Sequence, residues 1–214
     1  MIYYPVFLNL SKKKCVVVGG GQVAERKIKQ LLKAGADITV ISPRLTKGLK
    51  ALHDGGRIQH KIRKYKKNDI KNAFLVIAAT SNKQINQCIT RETSGLVNAV
   101  DIPDSCSFIM PSVVRKGPLT IAISSSGISP ALLKTLRKEL EACIPDELPN
   151  YLMYLRKIRP KVLKSISGPL RKNALKRVLL LKELGSLKIL NMLKRKGLAY
   201  VQRHINALFP RQTV

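Results

Sequence analysis

An α/β fold built on a parallel sheet is the expectation from three features of this 214-residue sequence. Apolar runs without polar alternation, KCVVV at 14–18 and NAFLVIAAT at 72–80, suit strands covered on both faces. Segments with apolar residues at helical spacing lie between such runs. Glycine and proline separate the two kinds of segment, so strands and helices alternate as they do in βαβ units.

Each element has its own justification. After the strand at 14–18, AERKIKQLLKAGA carries Ile28, Leu31, Leu32 and Ala34 on one helical face, and Gly35 stands where a helix stops. DITVIS at 37–42 is a second strand, closed by Pro43. A weaker unit follows, helix-like in LTKGLKALHDGG and strand-like near IQHKIRK. NAFLVIAAT is a buried strand, NKQINQCITRETSG a helix and LVNAVD at 96–101 another strand. Beyond Pro111 the texture changes. LTIAISSSG at 119–127 reads as a strand ending in a serine turn. Ser129 then suits an N-cap and Pro130 the first helical position. Leu132, Leu133, Leu136, Leu140 and Cys143 form the apolar stripe of that helix. Pro145 and Pro149 interrupt the chain, and from about Tyr151 the sequence is rich in Leu, Lys and Arg, as amphipathic helices are. There is no internal repeat and no low-complexity tract.

The formal net charge is +28, from 40 Lys and Arg against 12 Asp and Glu. Residues 151–214 hold 16 basic residues and one acid, Glu183, which leaves 24 basic and 11 acidic residues in 1–150. Such a field attracts anions: nucleic acid, an acidic membrane surface or a polyanionic small molecule. Much of it also serves simply to keep a surface solvated. No apolar run reaches the ~18 residues of a membrane span. The start, MIYYPVFLNLSKKK, places its lysines after the apolar run, the reverse of a secretory signal, so a cytoplasmic location is expected. Cys15, Cys88, Cys106 and Cys143 have no metal-like spacing and are expected to be reduced, with Cys15 a core residue. His53, His60 and His204 are isolated from one another, and no metal site is expected.

VVVGGGQVAERK is the first stretch that carries chemistry. Gly19-x-Gly21-x-x-Ala24 fits the dinucleotide fingerprint, since it follows an apolar strand and opens a helix. Gly19 permits the tight turn, Gly21 lets backbone approach a diphosphate, and Ala24 lets helix pack against strand. The free N–H groups at Gln22 and Val23 would face the phosphates. The acid expected about 20 residues further on, to hold the ribose 2′-hydroxyl, is missing. Ser42-Pro43-Arg44 stands there instead. Serine suits a ribose and arginine suits a 2′-phosphate, so these residues leave NAD and NADP both open.

The order VVVGGGQVAERK, ISP, LVIAATSN, NAVDIPDSCSFIMPSVV and AISSSGISPALLKTLRKELE resembles the precorrin-2 dehydrogenase/sirohydrochlorin ferrochelatase family, the front module of siroheme synthases. The likeness is close over about 1–145 and loose in the tail. It implies a Rossmann-like NAD-binding domain at 1–111, a small α/β dimerisation segment at 112–145 and a basic helical domain at 146–214. It implies oxidation of precorrin-2 to sirohydrochlorin with hydride passing to NAD⁺, and in some members insertion of Fe²⁺. A tetrapyrrole with eight carboxylates suits so basic a chain. The implied cofactor set is Gly19, Gly21, Gln22 and Val23, then Ser42, Pro43 and Arg44, then Ala79 and Thr80.

Asp101 matches the catalytic aspartate of the family and closes LVNAVD, at the strand end where ligands bind. A carboxylate there would accept a proton as hydride leaves. Capping the loop before Pro103, or pairing with a lysine, is the plain alternative, and Asp104 reads as a solvated turn residue. Ser125 is the substrate-contact candidate among Ser124, Ser125 and Ser126; turn serines otherwise satisfy backbone groups. Ser107, Ser112 and Met110-Pro111 read as structural. The resemblance also implies a homodimer. The chain stops at Val214, so the methyltransferase part of the fused synthases is not expected. A different class, a basic Rossmann module binding nucleic acid or sensing redox state, is motivated by the basic tail. It lacks helix-turn-helix spacing and aromatic platforms, with 5% aromatic residues and no Trp, so no specific nucleic acid and no membrane partner is expected.

Overall fold

The computed structural model describes residues 3–165 and 185–207, with side chains described over 3–160 and 189–203. The chain forms two compact units, Met1–Met110 and Pro111–Val214.

In the first unit β1 (Lys14–Val18), α1 (Gln22–Lys33), β2 (Asp37–Ile41), α2 (Lys47–Asp54) and β3 (Gln59–Lys61) are followed by β4 (Leu75–Ala78), α3 (Lys83–Glu92) and β5 (Leu96–Ala99). The five strands are all parallel in the order β3-β2-β1-β4-β5. Register sets Val18 beside both Ile41 and Ala78, so β1, β2 and β4 end level with one another.

The unbroken apolar runs are explained by two covered faces. Cys15 and Val17 of β1 join Ile38, Val40, Leu75 and Ile77 under Ile28 of α1 and Leu49 of α2. Val16 and Val18 point the other way and join Ile41, Val76, Ala78 and Val97 with Ile89 of α3. Each wholly buried Ile or Leu contributes about 1.5–3 kcal/mol, so a polar residue at Cys15–Val18 of β1 or in β4 would be costly. Helix α1 ends as Gly35 implied: the Gly35 N–H reaches Leu32 O at 3.1 Å and the Ala36 N–H reaches Leu31 O at 3.2 Å.

The strands are shorter than their apolar runs. LVNAVD gives only Leu96–Ala99, and Val100 and Asp101 turn away; NAFLVIAAT gives only Leu75–Ala78. Hydrophobicity continues past the last ladder bond because Ile102 and Cys106 fold back into the core. Cys106 acts there as a polarisable staple, its sulfur 3.1 Å from Ala99 N and 3.2 Å from Ile102 O.

The second unit opens with an antiparallel hairpin, β6 (Ser112–Lys116) and β7 (Leu119–Ile123), of which sequence reading found only the second strand. Helix α4 (Pro130–Cys143) begins as expected, with the Ser129 hydroxyl accepting from Leu132 N and Pro130 at the first position. Helices α5 (Leu148–Ser165) and α6 (Gly185–Ala207) follow among the described residues. Val114 and Ile144 share one buried cluster with Tyr151, Ile189 and Leu193, and Leu140 packs on it.

Asp69 ties down the segment after β3. It receives both guanidinium N–H groups of Arg63, at 2.7 and 2.6 Å, and Lys66 N at 2.8 Å, and its side chain is 6% exposed. These partners, Arg63 foremost, hold its carboxyl at about 2. A depressed carboxyl stabilises the fold above the unfolded value of ~3.9 and loses that effect as pH falls through the folded value. Asp69→Asn is therefore expected to lower stability by on the order of 1 kcal/mol near neutrality, allowing for solvent screening. The difference from the parent should vanish by about pH 2 in urea titrations repeated across pH.

Candidate active site

The strand order reverses between β1 and β4, and an open parallel sheet presents its crevice at such a point. A cleft of about 590 Å³ lies there, a size suited to a small ligand. It is lined by Gly19–Gly21, by Ser42–Thr46, by Lys64 and Tyr65, and by Ala79–Asn82 with Ile85.

Backbone contacts hold these loops together. Gly19 N donates to Ile41 O and Ala79 N to Val18 O, at 2.9 and 2.8 Å. Thr46 N donates to Gly20 O at 3.0 Å. Gly19 has φ +120°, and a Cβ there would sit 2.2 Å from Ala79 O. A Cβ on Gly20, the position the fingerprint leaves free, would sit 2.1 Å from Arg44 O. Glu25 secures the Ser42–Thr46 segment. It accepts from Lys29 at 2.5 Å and from the Thr46 hydroxyl at 2.5 Å, while Thr46 caps α2 through Leu49 N. Both partners, Lys29 first, hold the Glu25 carboxyl below its ordinary value.

Gly21 differs from its neighbours. A Cβ on it would meet nothing within 4 Å, and as N-cap of α1 it offers no side chain to the first-turn N–H groups. An uncapped helix N-terminus facing a cleft is suited to an anion. The donors and the space fit a dinucleotide diphosphate, with Gly19, Gly21, Ser42, Pro43, Arg44, Ala79 and Thr80 all lining the cleft. Gln22 and Val23, expected with them, are exposed in the first turn of α1 and do not line it.

Sequence reading missed ten lining residues, among them Lys64, Tyr65, Asn82 and Ile85. Asn82 caps α3 by accepting from Ile85 N at 3.1 Å, an Asn-x-x helix start that could have been noticed. Tyr65 gives its hydroxyl to Glu92 at 2.6 Å, and burial followed by that bond raises its phenol above the ordinary value. Lys27 was also missed. Its ammonium is held by Asn98 Oδ1 at 2.8 Å and Met110 Sδ at 3.5 Å, and burial lowers it from the usual lysine value. Asn98 passes the connection on to Phe108 O at 3.0 Å.

Asp101 lies two residues beyond β5, on the edge of the sheet that carries the cleft, but does not line it. It is exposed with φ +61°, a left-handed conformation that aspartate tolerates at some cost. Val100 N, just before it, donates to Ala78 O at 2.9 Å and so ties this turn to the end of β4. No ion pair or hydrogen bond of its carboxylate is found among the described residues. Ser125 belongs to the second unit and accepts from Ser129 N at 3.1 Å, the backbone role open to any turn serine. Ser107 accepts from Val97 N at 2.7 Å. His53 donates to Ile58 O and His60 to Ser42 O, at 3.3 and 2.9 Å, whereas the side chain of His204 lies outside the described residues. Among the described residues no group of His, Cys, Asp and Glu could hold a metal. All four cysteines are free, and burial pushes the Cys15 thiol up to about 11.

Two neighbouring glycines should respond differently. Gly19→Ala should cost about 3 kcal/mol of stability, from left-handed strain and a backbone collision. Gly21→Ala should cost less than about 1 kcal/mol yet weaken ADP binding about tenfold or more, because its methyl enters the cleft. Denaturant melts and calorimetric titration with ADP check both.

Comparison with known proteins bears on the same cleft. The family described as "Putative NAD(P)-binding" matches residues 6–112, and "Sirohaem biosynthesis protein central" matches 116–142. Siroheme synthase of Actinobacillus pleuropneumoniae serotype 3 (strain JL03) is 43% identical over 151 residues, 69% of this chain and 31% of that protein. Siroheme synthase of Nitrosococcus oceani is 38% identical over 171 residues, 78% of this chain and 36% of that one. The chain thus spans about a third of the length of these relatives. The solved structure of SirC, precorrin-2 dehydrogenase, superposes with a TM-score of 0.76 at 26% identity, covering 96% of this chain and all (100%) of that one. A chain with the NAD(P)-binding match over its first half, the sirohaem central match directly after it and these relatives belongs to the precorrin-2 dehydrogenase family, the front module of siroheme synthases.

Proposed function

We propose that this protein is an NAD-dependent precorrin-2 dehydrogenase of siroheme biosynthesis, with the cleft over Gly19–Gly21 as its cofactor site. The observation that carries the reading is the uncapped α1 N-terminus beside a glycine with open space, at the reversal of a parallel sheet. The family match over the same residues and the SirC superposition support it.

The chain's own residues would act as follows. The N–H groups of the glycine turn, at the start of α1, hold the diphosphate. Ser42 and the walls at 42–46 and 79–82 hold the adenosine half. NAD⁺, when bound, supplies the hydride acceptor. Asp101, on the same sheet edge, takes the proton released as precorrin-2 loses hydride, a task for an ionised carboxylate without a competing cation. Its left-handed turn, tied to β4 through Val100, sets where that carboxylate stands. The cationic surface draws in the substrate carboxylates. Much of the basic tail, 166–184 and 208–214, lies outside the described residues. A contact of Ser125 with the tetrapyrrole belongs to this proposal too.

We extend the reading in three respects. Iron insertion into sirohydrochlorin requires removal of pyrrole protons, and Asp101 is the available acceptor, with Fe²⁺ as a substrate bound by the macrocycle nitrogens. A homodimer through 112–145, with 146–214 as a helical domain, is supported by α4: none of its residues is buried, Leu132 is 60% exposed, and the neighbouring Ile128 is 87% exposed. A cytoplasmic location fits four free cysteines, and no helix among the described residues is long and apolar enough to cross a membrane.

Mixing protein, precorrin-2 and NAD⁺ should produce NADH absorbance; active substrate without NADH formation would end the proposal. Asp101→Asn should lower kcat about 10²-fold or more while leaving NAD⁺ affinity within about twofold. A parallel fall in NAD⁺ affinity would show that Asp101 serves the cofactor site and not proton transfer. In sedimentation the parent should run as a dimer and Leu132→Glu as a monomer; a monomeric parent removes the dimer.

A further inference from the structure

We propose that Lys27 is a positioning residue for Asp101: it ties the helix that faces the cofactor cleft to the loop that carries the proton-accepting carboxylate. The inference rests on reading Asp101 as the proton acceptor, and it adds the group that fixes where that acceptor stands.

Asp101 has φ +61°, and a non-glycine residue keeps such a backbone only where its surroundings impose it. The chain leaves β5 at Ala99, passes through Asp101 and a short 3₁₀ turn at Pro103–Ser105, and then returns along β5. The returning arm is bonded to the strand in steps. Ser107 N donates to Val97 O at 2.9 Å, and Val97 N to the Ser107 hydroxyl at 2.7 Å. Ala99 N donates to the Cys106 sulfur at 3.1 Å, and the thiol donates to Ile102 O at 3.2 Å. Further along, Asn98 donates from Nδ2 to Phe108 O at 3.0 Å. Asp101 thus stands at the closed end of a loop whose two arms are bonded to each other.

Lys27 holds the last of these bonds in place. Asn98 is 8% exposed, and an amide that gives its N–H to Phe108 must present its oxygen to another donor. That donor is the Lys27 ammonium, 2.8 Å from Oδ1, which also reaches the Met110 sulfur at 3.5 Å. One side chain therefore grips both arms, β5 through Asn98 and the returning segment through Met110. Lys27 lies in the second turn of α1, the helix whose uncapped N-terminus faces the cleft. The groups that receive hydride and proton are in this way referred to one helix.

A lysine is a costly choice at this place. Its ammonium is half-buried, no carboxylate pairs with it among the described residues, and burial lowers it from the usual lysine value. A buried charge on neutral partners adds little to stability. An apolar residue would relieve the charge but leave the Asn98 oxygen unpaired and the Phe108 arm free to shift. The bonds of Ser107 and Cys106 would remain, so the loop would loosen and not unfold. What the lysine contributes is a defined position for the loop, and a misplacement of about 1 Å near reacting groups costs up to about 10²-fold in rate.

The test uses the full chain with precorrin-2 and NAD⁺, and introduces Lys27→Met alone and together with Asp101→Asn. Calorimetric titration with ADP counts the folded sites, and kcat is taken per site. Lys27→Met should lower kcat about tenfold while leaving ADP and NAD⁺ affinity within about twofold. In the Asp101→Asn background no carboxylate remains to be placed, and the same change should alter kcat by less than about twofold. An equal fall in both backgrounds, an unchanged kcat in the parent background, or a fall in ADP affinity would each overturn the proposal alone. If Asp101→Asn by itself leaves kcat unchanged, the proton-acceptor reading falls and this inference with it.

Discussion

The contact between the turn after β1 and the end of β4 is the constraint on which the rest depends. Gly19 meets the Ala79 carbonyl where no side-chain carbon fits, and Gly20 meets the Arg44 carbonyl in the same way. Three backbone bonds, Gly19 to Ile41, Ala79 to Val18 and Thr46 to Gly20, then join the ends of β1, β2 and β4. Each cleft wall is thereby positioned relative to the start of α1. The force that maintains this contact is burial on both faces of β1, through Cys15 and Val17 on one side and Val16 and Val18 on the other.

Charge is organised around the same frame. In a chain of net charge +28, acids are scarce, and those flanking the cleft serve the fold. Glu25 joins α1 to the cap of α2, Asp69 anchors the segment after β3, and Glu92 receives Tyr65. Lys27 is the inverse case, a half-buried cation kept by an amide oxygen and a thioether, with no acid as counterpart among the described residues. Its lowered proton affinity reflects lost hydration, which neutral partners restore only in part. Asp101 stands apart from the other acids, exposed, strained in backbone and without a cation among the described residues.

Much of the fold could be read in the sequence. The runs at 14–18 and 72–80, the Gly35 stop and the Ser129-Pro130 start all correspond to elements, because local chemistry alone determines them. Strand ends were overestimated because ladder bonds cease at Ala78 and Ala99 while apolar residues continue into the folded-back 102–110 segment. β6 was missed since SVVRK is short and follows a proline, and it becomes a strand by pairing with β7. Helix α4 begins as its residues dictate, yet its stripe stays partly in solvent, and periodicity does not say what would cover it.

For the site, the sequence alone determined the glycine turn, the strand and helix around it and the absence of an acid after β2, since these follow from residues adjacent in the chain. Family membership was legible in the same way, from ordered motifs. Tertiary structure decided which distant residues share the cleft. Lys64 and Tyr65 carry no local mark of a site, and they share the cleft with Gly19–Gly21 only because parallel register brings the ends of β1, β2 and β4 level. It also decided that Gly20 must be glycine, that Lys27 is held by neutral partners, and that Gln22, Val23 and Asp101 lie outside the cleft lining. These are consequences of close approach between segments far apart in the chain, which spacing along one segment cannot encode.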